Sequence, residues 1–567
     1  MKTLSVAVII LVLFAGTANA GKQVRVIYKN IVNGREVTDG PRTVVESDGS
    51  AVRITVVQRQ PDRLQMPSPL QSSFIDLEGR QFINVADMPD GSRISTVTHF
   101  KDLPSAEIST DFETIAGYKC VRSRVIYFSN TIDIWYTLEA GLAGTPVPAY
   151  GVPEGLVLRI VRNGNNITEA EEVESVRDKG FRVSISGNRG KEVDRMTFEH
   201  LLREALVTSV TVFDNAVINW EGEVANPEFG IRDTIYRFAG GTVILKKVIL
   251  PQVHDRYSLF AEVTEYSAGD AYDRTGTVFV IPQGDPVTFI DGLIRGHKSL
   301  PVHTDKHGKD YSGVAATISY RPPVELVRFF TPFGVRNFNE KRTVPGLVWE
   351  DSAFYKQEIT RYLPLLRGEV WIGAFIGNYD RGGHRLSLRL KYYPETREME
   401  FPASPEKWIS LVFNTLPIME MEGQQYGTMF DGDTLSVSVE IPEGLKSLQM
   451  VFITTGHGGW GGGDEFNQKM NELLVDGRRV WSFVPWRSDC GTYRNYNPAS
   501  GNFWNGLSSS DYSRSGWCPG SVSEPLIIHL DGLSPGRHTF SVTVPMGKPE
   551  GSSFSHWNIS GVLIGEK

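Results

Sequence analysis

Cysteine is scarce. The 567-residue chain holds three, Cys120, Cys490 and Cys518, enough for one disulfide and a thiol left over. Basic charge is not in excess either: 58 Lys and Arg stand against 66 Asp and Glu, for a net charge of -8. That balance speaks against nucleic acid as a partner, because such binding needs a concentrated basic face. There is no run of five or six like charges and no low-complexity tail. Beyond the first twenty residues no segment is apolar enough to span a bilayer. Long helical periods are almost absent. No motif supports Ser-His-Asp or Cys-His hydrolysis. The glycine-rich stretch Gly456–Gly463 lacks the Lys-Ser/Thr ending of a phosphate loop.

Glycine (56), proline (31) and aromatic residues (11%) are plentiful. That mixture suits short strands joined by tight turns. The length exceeds what one core supports, so two to four domains are expected. Residues 1–20 read as a signal peptide. Met1-Lys2 is a basic start, Leu4 to Gly16 is apolar, and Ala18-Asn19-Ala20 is a small-x-small cleavage site. The mature chain is expected to be exported, periplasmic or secreted, without a membrane span. Export permits a disulfide. Cys490 and Cys518 flank one loop rich in Trp, Asn and Ser and are paired on that ground, leaving Cys120 as a buried free thiol.

Residues 21–208 read as a β-rich N-terminal domain, with strands such as Val24–Tyr28, Val52–Val57 and Val121–Phe128 and turns at Asp48-Gly49 and Asp90-Gly91. Thr197–Leu206 is the clearest helix, with Phe198, Leu201, Leu202 and Ala205 on one face. Ile115-Ala116-Gly117-Tyr118-Lys119-Cys120, Ile134-Trp135-Tyr136-Thr137 and Pro153-Glu154-Gly155-Leu156-Val157-Leu158 resemble GLPGLI-type β domains. From residue 209 alternation marks Thr277–Ile281, Val370–Ile376, Leu386–Tyr392 and Leu435–Ile441. Strands without intervening helices point to β-sandwiches or jelly rolls. The charged stretch Tyr393 to Pro405 divides them into 209–397 and 398–567.

Four further stretches occur in order: Gly269-Asp270-Ala271-Tyr272-Asp273-Arg274; Arg328-Phe329-Phe330-Thr331-Pro332-Phe333, followed by Leu363-Pro364-Leu365-Leu366-Arg367-Gly368; Thr454-Thr455-Gly456-His457-Gly458-Gly459-Trp460 with Gly463-Asp464-Glu465-Phe466; and Ser513-Arg514-Ser515-Gly516-Trp517-Cys518-Pro519-Gly520. Together they resemble the peptide-N-glycosidase F family, from about residue 210 to the end. The resemblance implies a mainly β fold: two packed antiparallel jelly-roll sandwiches, here preceded by the separate N-terminal domain. It implies an amidase that cuts N-glycans from the asparagine side chains of glycoproteins or glycopeptides, with no cofactor and no metal. No oligomer is implied, and a monomer is expected.

Amide hydrolysis needs an activated water or carboxylate, stabilisation of the oxyanion and help for the leaving amine. Asp273 matches the family's essential aspartate and Glu465 its second acid, with Asp464 the competitor if the register slips by one. Arg514 matches an arginine near the amide, suited to stabilising charge on a carbonyl oxygen. Arg274 is expected to keep Asp273 ionised and Asp270 to brace the same turn. His457, Trp460 and Trp517 complete the expected substrate contacts, with Trp504, Tyr493 and Tyr496 as further candidates for a glycan platform.

Two departures stand out. The family's third acid has no counterpart, since Gly377 occupies its place, with Tyr379 and Asp380 as candidate substitutes. An insertion from Gly284 to Arg321 carries His297, His303 and His307; acid or cysteine ligands are sparse around them, which favours a solvated loop over a metal site. The rival readings are an endo-type glycosidase, a non-catalytic glycan-binding surface protein and, last, a copper monooxygenase.

Overall fold

The computed structural model describes residues 23–38, 40–57, 67–152, 154–176, 182–185, 187–221, 226–253, 257–395, 406–458, 463–530, 532–547 and 554–567. The expected signal peptide and most of the dividing stretch Tyr393 to Pro405 lie outside them. The chain forms two compact units, Met1–Val207 and Thr208–Lys567.

Among the described residues the first unit forms a 13-stranded sheet. It is antiparallel except where Lys191–Glu192 joins Arg93–His99. Two meanders meet where Val24–Val32 pairs with Asn166–Ser175. In one of its cores Val26, Tyr28, Val45 and Ile75 from one meander pack with Cys120, Leu156 and Leu158 from the other, and smaller clusters form around Ile83 and Ile132. Cys120 is a buried free thiol. The helix runs Arg195–Leu206, two residues earlier than expected, since the Asp194 carboxylate accepts the Thr197 N–H and caps it. Phe198 is its buried anchor.

The second unit holds two sandwiches. In the first, a four-stranded sheet (Thr208–Ile218, His384–Pro394, Tyr257–Ser267, Ala353–Glu358) faces a five-stranded one (Ile235–Phe238, Val243–Leu250, Gly368–Ile376, Thr275–Ile281, Val324–Phe330). In the second, Lys407–Asn414, His556–Glu566, Ser447–His457 and Leu526–His529 face Leu435–Ile441, Gly536–Thr543, Asn471–Val475 and Arg478–Phe483. Outer strands such as Leu435–Ile441 alternate buried and exposed, as a sheet wet on one face must. The mainly β, double-sandwich architecture expected from the sequence is what forms.

Val324–Phe330 is buried at every residue because the second sandwich covers its outer face. Its two charges are internal: Arg328 pairs with Glu325 and donates to the Asn558 carbonyl at 2.5 Å. The backbone of Phe330 exchanges hydrogen bonds with the 520–521 segment, at 3.0 Å and 2.9 Å. The second sequence motif is therefore the seam between the sandwiches. The insertion crosses the same seam. Val314 accepts the Asn414 N–H at 2.8 Å and Ala316 donates to Val412 at 2.9 Å. After that crossing, Leu416, Ile418 and Met419 are buried in the core of the first sandwich.

Candidate active site

Asp273 stands on a tightly braced turn. The Asp270 carboxylate, 1% exposed, accepts the Tyr272 N–H at 3.0 Å and the Arg274 Nε at 2.6 Å. The Thr331 hydroxyl accepts the Arg274 backbone N–H at 2.8 Å, so the second motif pins the first. Burial pushes the Asp270 pKa up, but His384 and Arg274 outweigh it and hold the carboxyl at about 2. Asp270 thus braces the turn. Asp380 lies behind it, accepting from the Gly382 and Gly383 N–H groups at 2.7 Å and 3.0 Å. A Cβ on Gly269 would sit 2.6 Å from Asp380 Oδ1, so only glycine lets the two loops touch.

The second sandwich supplies Glu465 and Arg514. Ser515 donates its backbone N–H to the Glu465 carbonyl at 2.9 Å, and Arg514 pairs backbone-to-backbone with Arg487. The Arg514 guanidinium, 1% exposed, is engaged on several sides. Nη1 binds Glu465 and lies 3.0 Å from Asp273 Oδ2. Nη2 donates to the Ser509 carbonyl at 2.8 Å. The Trp517 ring lies 4.4 Å below its Cζ. The Asp273 contact is a charge contact only: no N–H is aimed at Oδ2, which is closed to solvent and without a hydrogen-bond donor. Asp464 goes elsewhere. Its buried carboxylate takes the Trp557 Nε1–H at 2.8 Å and the Gly547 N–H at 2.9 Å, and it does not line the cleft.

The cleft, of about 210 Å³, includes Asp273, Arg274, Glu465, His457 and Trp517 among its walls. Burial raises the carboxyl pKa of Asp273, against the pull of Arg514 and Arg274. Burial likewise raises Glu465, against Arg514 and with the charge of Asp273 adding to the rise. Two acids sharing one guanidinium in a dry cleft hold a proton between them well above the ordinary carboxylate range. Burial also drives the His457 pKa far down, so this ring is neutral; it stacks between Phe330, Trp517 and His556. Trp517 is 3% exposed and donates to the Gly456 carbonyl at 3.0 Å, so most of its surface supports Arg514 and Phe330. Trp460 lies outside the described residues. Trp504 is exposed and does not line the cleft, nor do Tyr493 and Tyr496.

Sequence reasoning missed one carboxyl. Glu420, on the 3-10 turn Glu420–Glu422, lines the same cleft. Its Oε2 accepts the Tyr426 hydroxyl at 2.7 Å, and Tyr426 meets the Tyr379 hydroxyl at 2.8 Å. Burial pushes Glu420 up to about 7, against Tyr426 and Arg274. No motif flags this residue. The histidines of the insertion stand apart from one another: His297 Nδ1 is 3.2 Å from the Ser312 hydroxyl, and His307 Nε2 is 3.4 Å from the Asp431 carbonyl. Among the described residues no group of three or more His, Cys, Asp and Glu side chains could hold a metal ion. Cys490 and Cys518 form the disulfide, Cα to Cα 5.1 Å.

Comparison with known proteins covers nearly the whole chain. Residues 209–392 match the family described as "Peptide-N-glycosidase F, N terminal", and 425–564 match "Peptide-N-glycosidase F, C terminal". Residues 26–200, read from short motifs as GLPGLI-like, match "N-glycanase peptide, N-terminal domain". No curated protein matches. A solved structure of PNGF-II in space group P21 is 38% identical, covers 96% of this chain and all (100%) of its own, and superposes with a TM-score of 0.80. A second PNGF-II structure, in space group C2, is also 38% identical, with coverages of 96% and 98% and a TM-score of 0.78. PNGase F from Flavobacterium meningosepticum, described as a glycosylasparaginase, is 14% identical over 64% of this chain and 96% of its own, with a TM-score of 0.41. On the matched domains and the 38% identity across 96% of its length, the chain belongs to the peptide-N-glycosidase F family.

Proposed function

We propose that this protein hydrolyses the amide joining an asparagine side chain to its N-linked glycan, releasing the whole glycan as a glycosylamine and leaving aspartate in the peptide. One observation carries the reading. A single guanidinium, that of Arg514, holds carboxylates from both sandwiches, Asp273 and Glu465, at one cleft.

Asp273 is the base. Its carboxylate, 15% exposed where it lines the cleft, accepts a proton from the attacking water as the oxygen bonds to the amide carbon. Glu465, its pKa raised by burial, starts protonated and gives its proton to the nitrogen as the C–N bond breaks. The proton gained by Asp273 balances the one lost by Glu465. Arg514 positions both acids and steadies the negative charge that grows between them. Arg274, over whose guanidinium Tyr272 and Tyr379 lie at 5.1 Å and 5.3 Å, is a sugar-facing contact beside Asp273. The substrates are N-glycoproteins or glycopeptides. The leader-like residues 1–20 and the disulfide support export to the periplasm or medium. No described helix is long and apolar enough to cross a membrane.

The test is digestion of a denatured N-glycoprotein in heavy-oxygen water, with peptide mapping beside Asp273→Ala. Heavy-labelled aspartate at the former glycosylation site, absent with Asp273→Ala, is the expected result. A residual N-acetylglucosamine on asparagine would replace this reading with an endoglycosidase. Unchanged glycopeptides would reject catalysis altogether.

A further inference from the structure

Gly377 closes the strand Gly368–Ile376 at the cleft wall, and its backbone asks for no glycine: its φ is not positive. Space explains it. A Cβ there would lie 2.7 Å from Oε1 of Glu420 and 3.2 Å from the Phe375 ring. The carboxyl of Glu420 occupies the room that a side chain at 377 would fill. An acid from beyond the first sandwich thus enters the gap that the strand itself leaves open.

Glu420 is held there from several directions. Leu416, Ile418 and Met419 anchor the turn in the first core. The Gln424 side chain grips it twice, accepting the Met419 N–H at 2.8 Å and donating to the Ser312 carbonyl at 3.0 Å. Ser312 belongs to the insertion, so the insertion buttresses this turn. Glu422 accepts the Ala239 N–H at 3.1 Å and fixes the far end. Such support is out of proportion to a carboxyl whose work inside the protein is one bond to Tyr426. Its other oxygen, Oε1, has neither solvent nor a donor. A buried acceptor without a partner is a cost the fold leaves uncompensated. A ligand that brings a hydroxyl or N–H removes it, after a turn about the soft terminal carboxyl torsion.

We propose that Glu420 is a substrate-contacting residue of this site, hydrogen-bonding the N-acetylglucosamine core next to the scissile amide, and that Gly377 is the gap that admits it. The proposal rests on the amide-hydrolysis reading for the identity of the sugar. Tyr426 holds Oε2, the Tyr379 hydroxyl extends the polar edge, and rotation of the carboxyl brings Oε1 from its place beside Gly377 to the incoming donor. Glu420 lies between the two matched ranges, 209–392 and 425–564.

The experiment separates binding from turnover. Affinity for free chitobiose is measured by titration calorimetry on Asp273→Asn alone and on Asp273→Asn with Glu420→Ala. KM and kcat for a glycopeptide are measured on wild type, Glu420→Ala, Glu420→Gln and the exchange variant Gly377→Glu/Glu420→Ala. Loss of the contact is expected to weaken chitobiose about tenfold and to raise KM by a similar factor, more than it changes kcat, as for one hydrogen bond to a charged group. The exchange variant, with its carboxyl returned to the same gap from the strand side, is expected to recover at least half of that loss on a logarithmic scale. Unchanged chitobiose affinity and KM in Glu420→Ala would overturn the proposal. So would equal loss in Glu420→Ala and the exchange variant, which marks a packing role. Amide hydrolysis by the wild type is scored separately by heavy-oxygen incorporation. Its absence would remove the catalytic reading while the calorimetry still decides whether Glu420 binds the sugar.

Discussion

Nδ1 of His384 lies 2.7 Å from Oε1 of Glu265, and neither side chain has exposed surface. The opposite ring nitrogen faces Asp270 Oδ2 at 3.5 Å, a charge contact rather than a hydrogen bond. Asp270 in turn grips Arg274. A buried line of charge, Glu265–His384–Asp270–Arg274, therefore lies beneath the turn that presents Asp273.

Burial favours neutral His384, yet the two carboxylates outweigh it and raise its pKa to about 9. The folded value exceeds the ordinary histidine value of 6.5, so the proton stabilises the fold. This contribution is complete below about pH 6.5 and is lost as pH rises through about 9. Its size is on the order of 2–3 kcal/mol, reduced by the rise that burial imposes on Glu265. His384→Gln is expected to unfold more easily at pH 6 and to lose less of its remaining stability than wild type between pH 6.5 and 9. Urea melts across that range check this; parallel curves would remove the charged histidine from the account.

The pair Asp273 and Glu465 predicts a bell-shaped kcat/KM profile. Activity rises with pH as the pair loses its first proton, above the ordinary carboxylate range because burial raises both acids. It falls when the second proton leaves and no donor remains for the amine. Glu465→Gln is expected to lose the alkaline limb and about a hundredfold in rate, the usual worth of a positioned acid. A wild-type profile flat from pH 5 to 9 would contradict the shared proton.

Thr331 joins two motifs that lie apart in sequence. Its hydroxyl accepts the Arg274 N–H at 2.8 Å, and Thr331→Val leaves that donor without its partner. The expected cost is about 1–3 kcal/mol of stability, with kcat reduced about tenfold as Asp273 loosens. Comparing kcat with KM checks it, because a loosened base should lower kcat while leaving KM nearly unchanged.

Much of this was legible in the sequence. Alternation located strands such as Leu435–Ile441, and ordered motifs brought Asp273, Glu465 and Arg514 into one reading; the structure sets the two acids around the guanidinium of Arg514. Asp464 and Glu465, adjacent in sequence, differ only in which way the loop turns them, and periodicity does not reach into such a loop. The motif points to Arg514 as an arginine near the amide, but sequence does not reveal that Glu465, Asp273 and Ser509 already engage it. Glu420 was invisible for a different reason. It reaches the cleft through a seam between sandwiches, and its signal in the sequence was the missing side chain at Gly377.

The disulfide supplies the last prediction. Cys490 and Cys518 close a loop of 28 residues' separation, and that loop contains Ser509, Arg514 and Trp517. Ser509 holds Nη2 of Arg514 and Trp517 stacks beneath it, so the loop carries the guanidinium and its supports together. Cys490→Ser/Cys518→Ser is expected to lose about 3.5 kcal/mol of stability on the loop-entropy estimate. Activity should fall further than the folded fraction does, since Arg514 must hold two acids from different sandwiches in register. Circular dichroism fixes the temperature at which the variant remains folded, and glycopeptide turnover is then measured there. Full turnover in the folded variant would show that the seam and the Arg487–Arg514 backbone pairing hold the guanidinium without the covalent link.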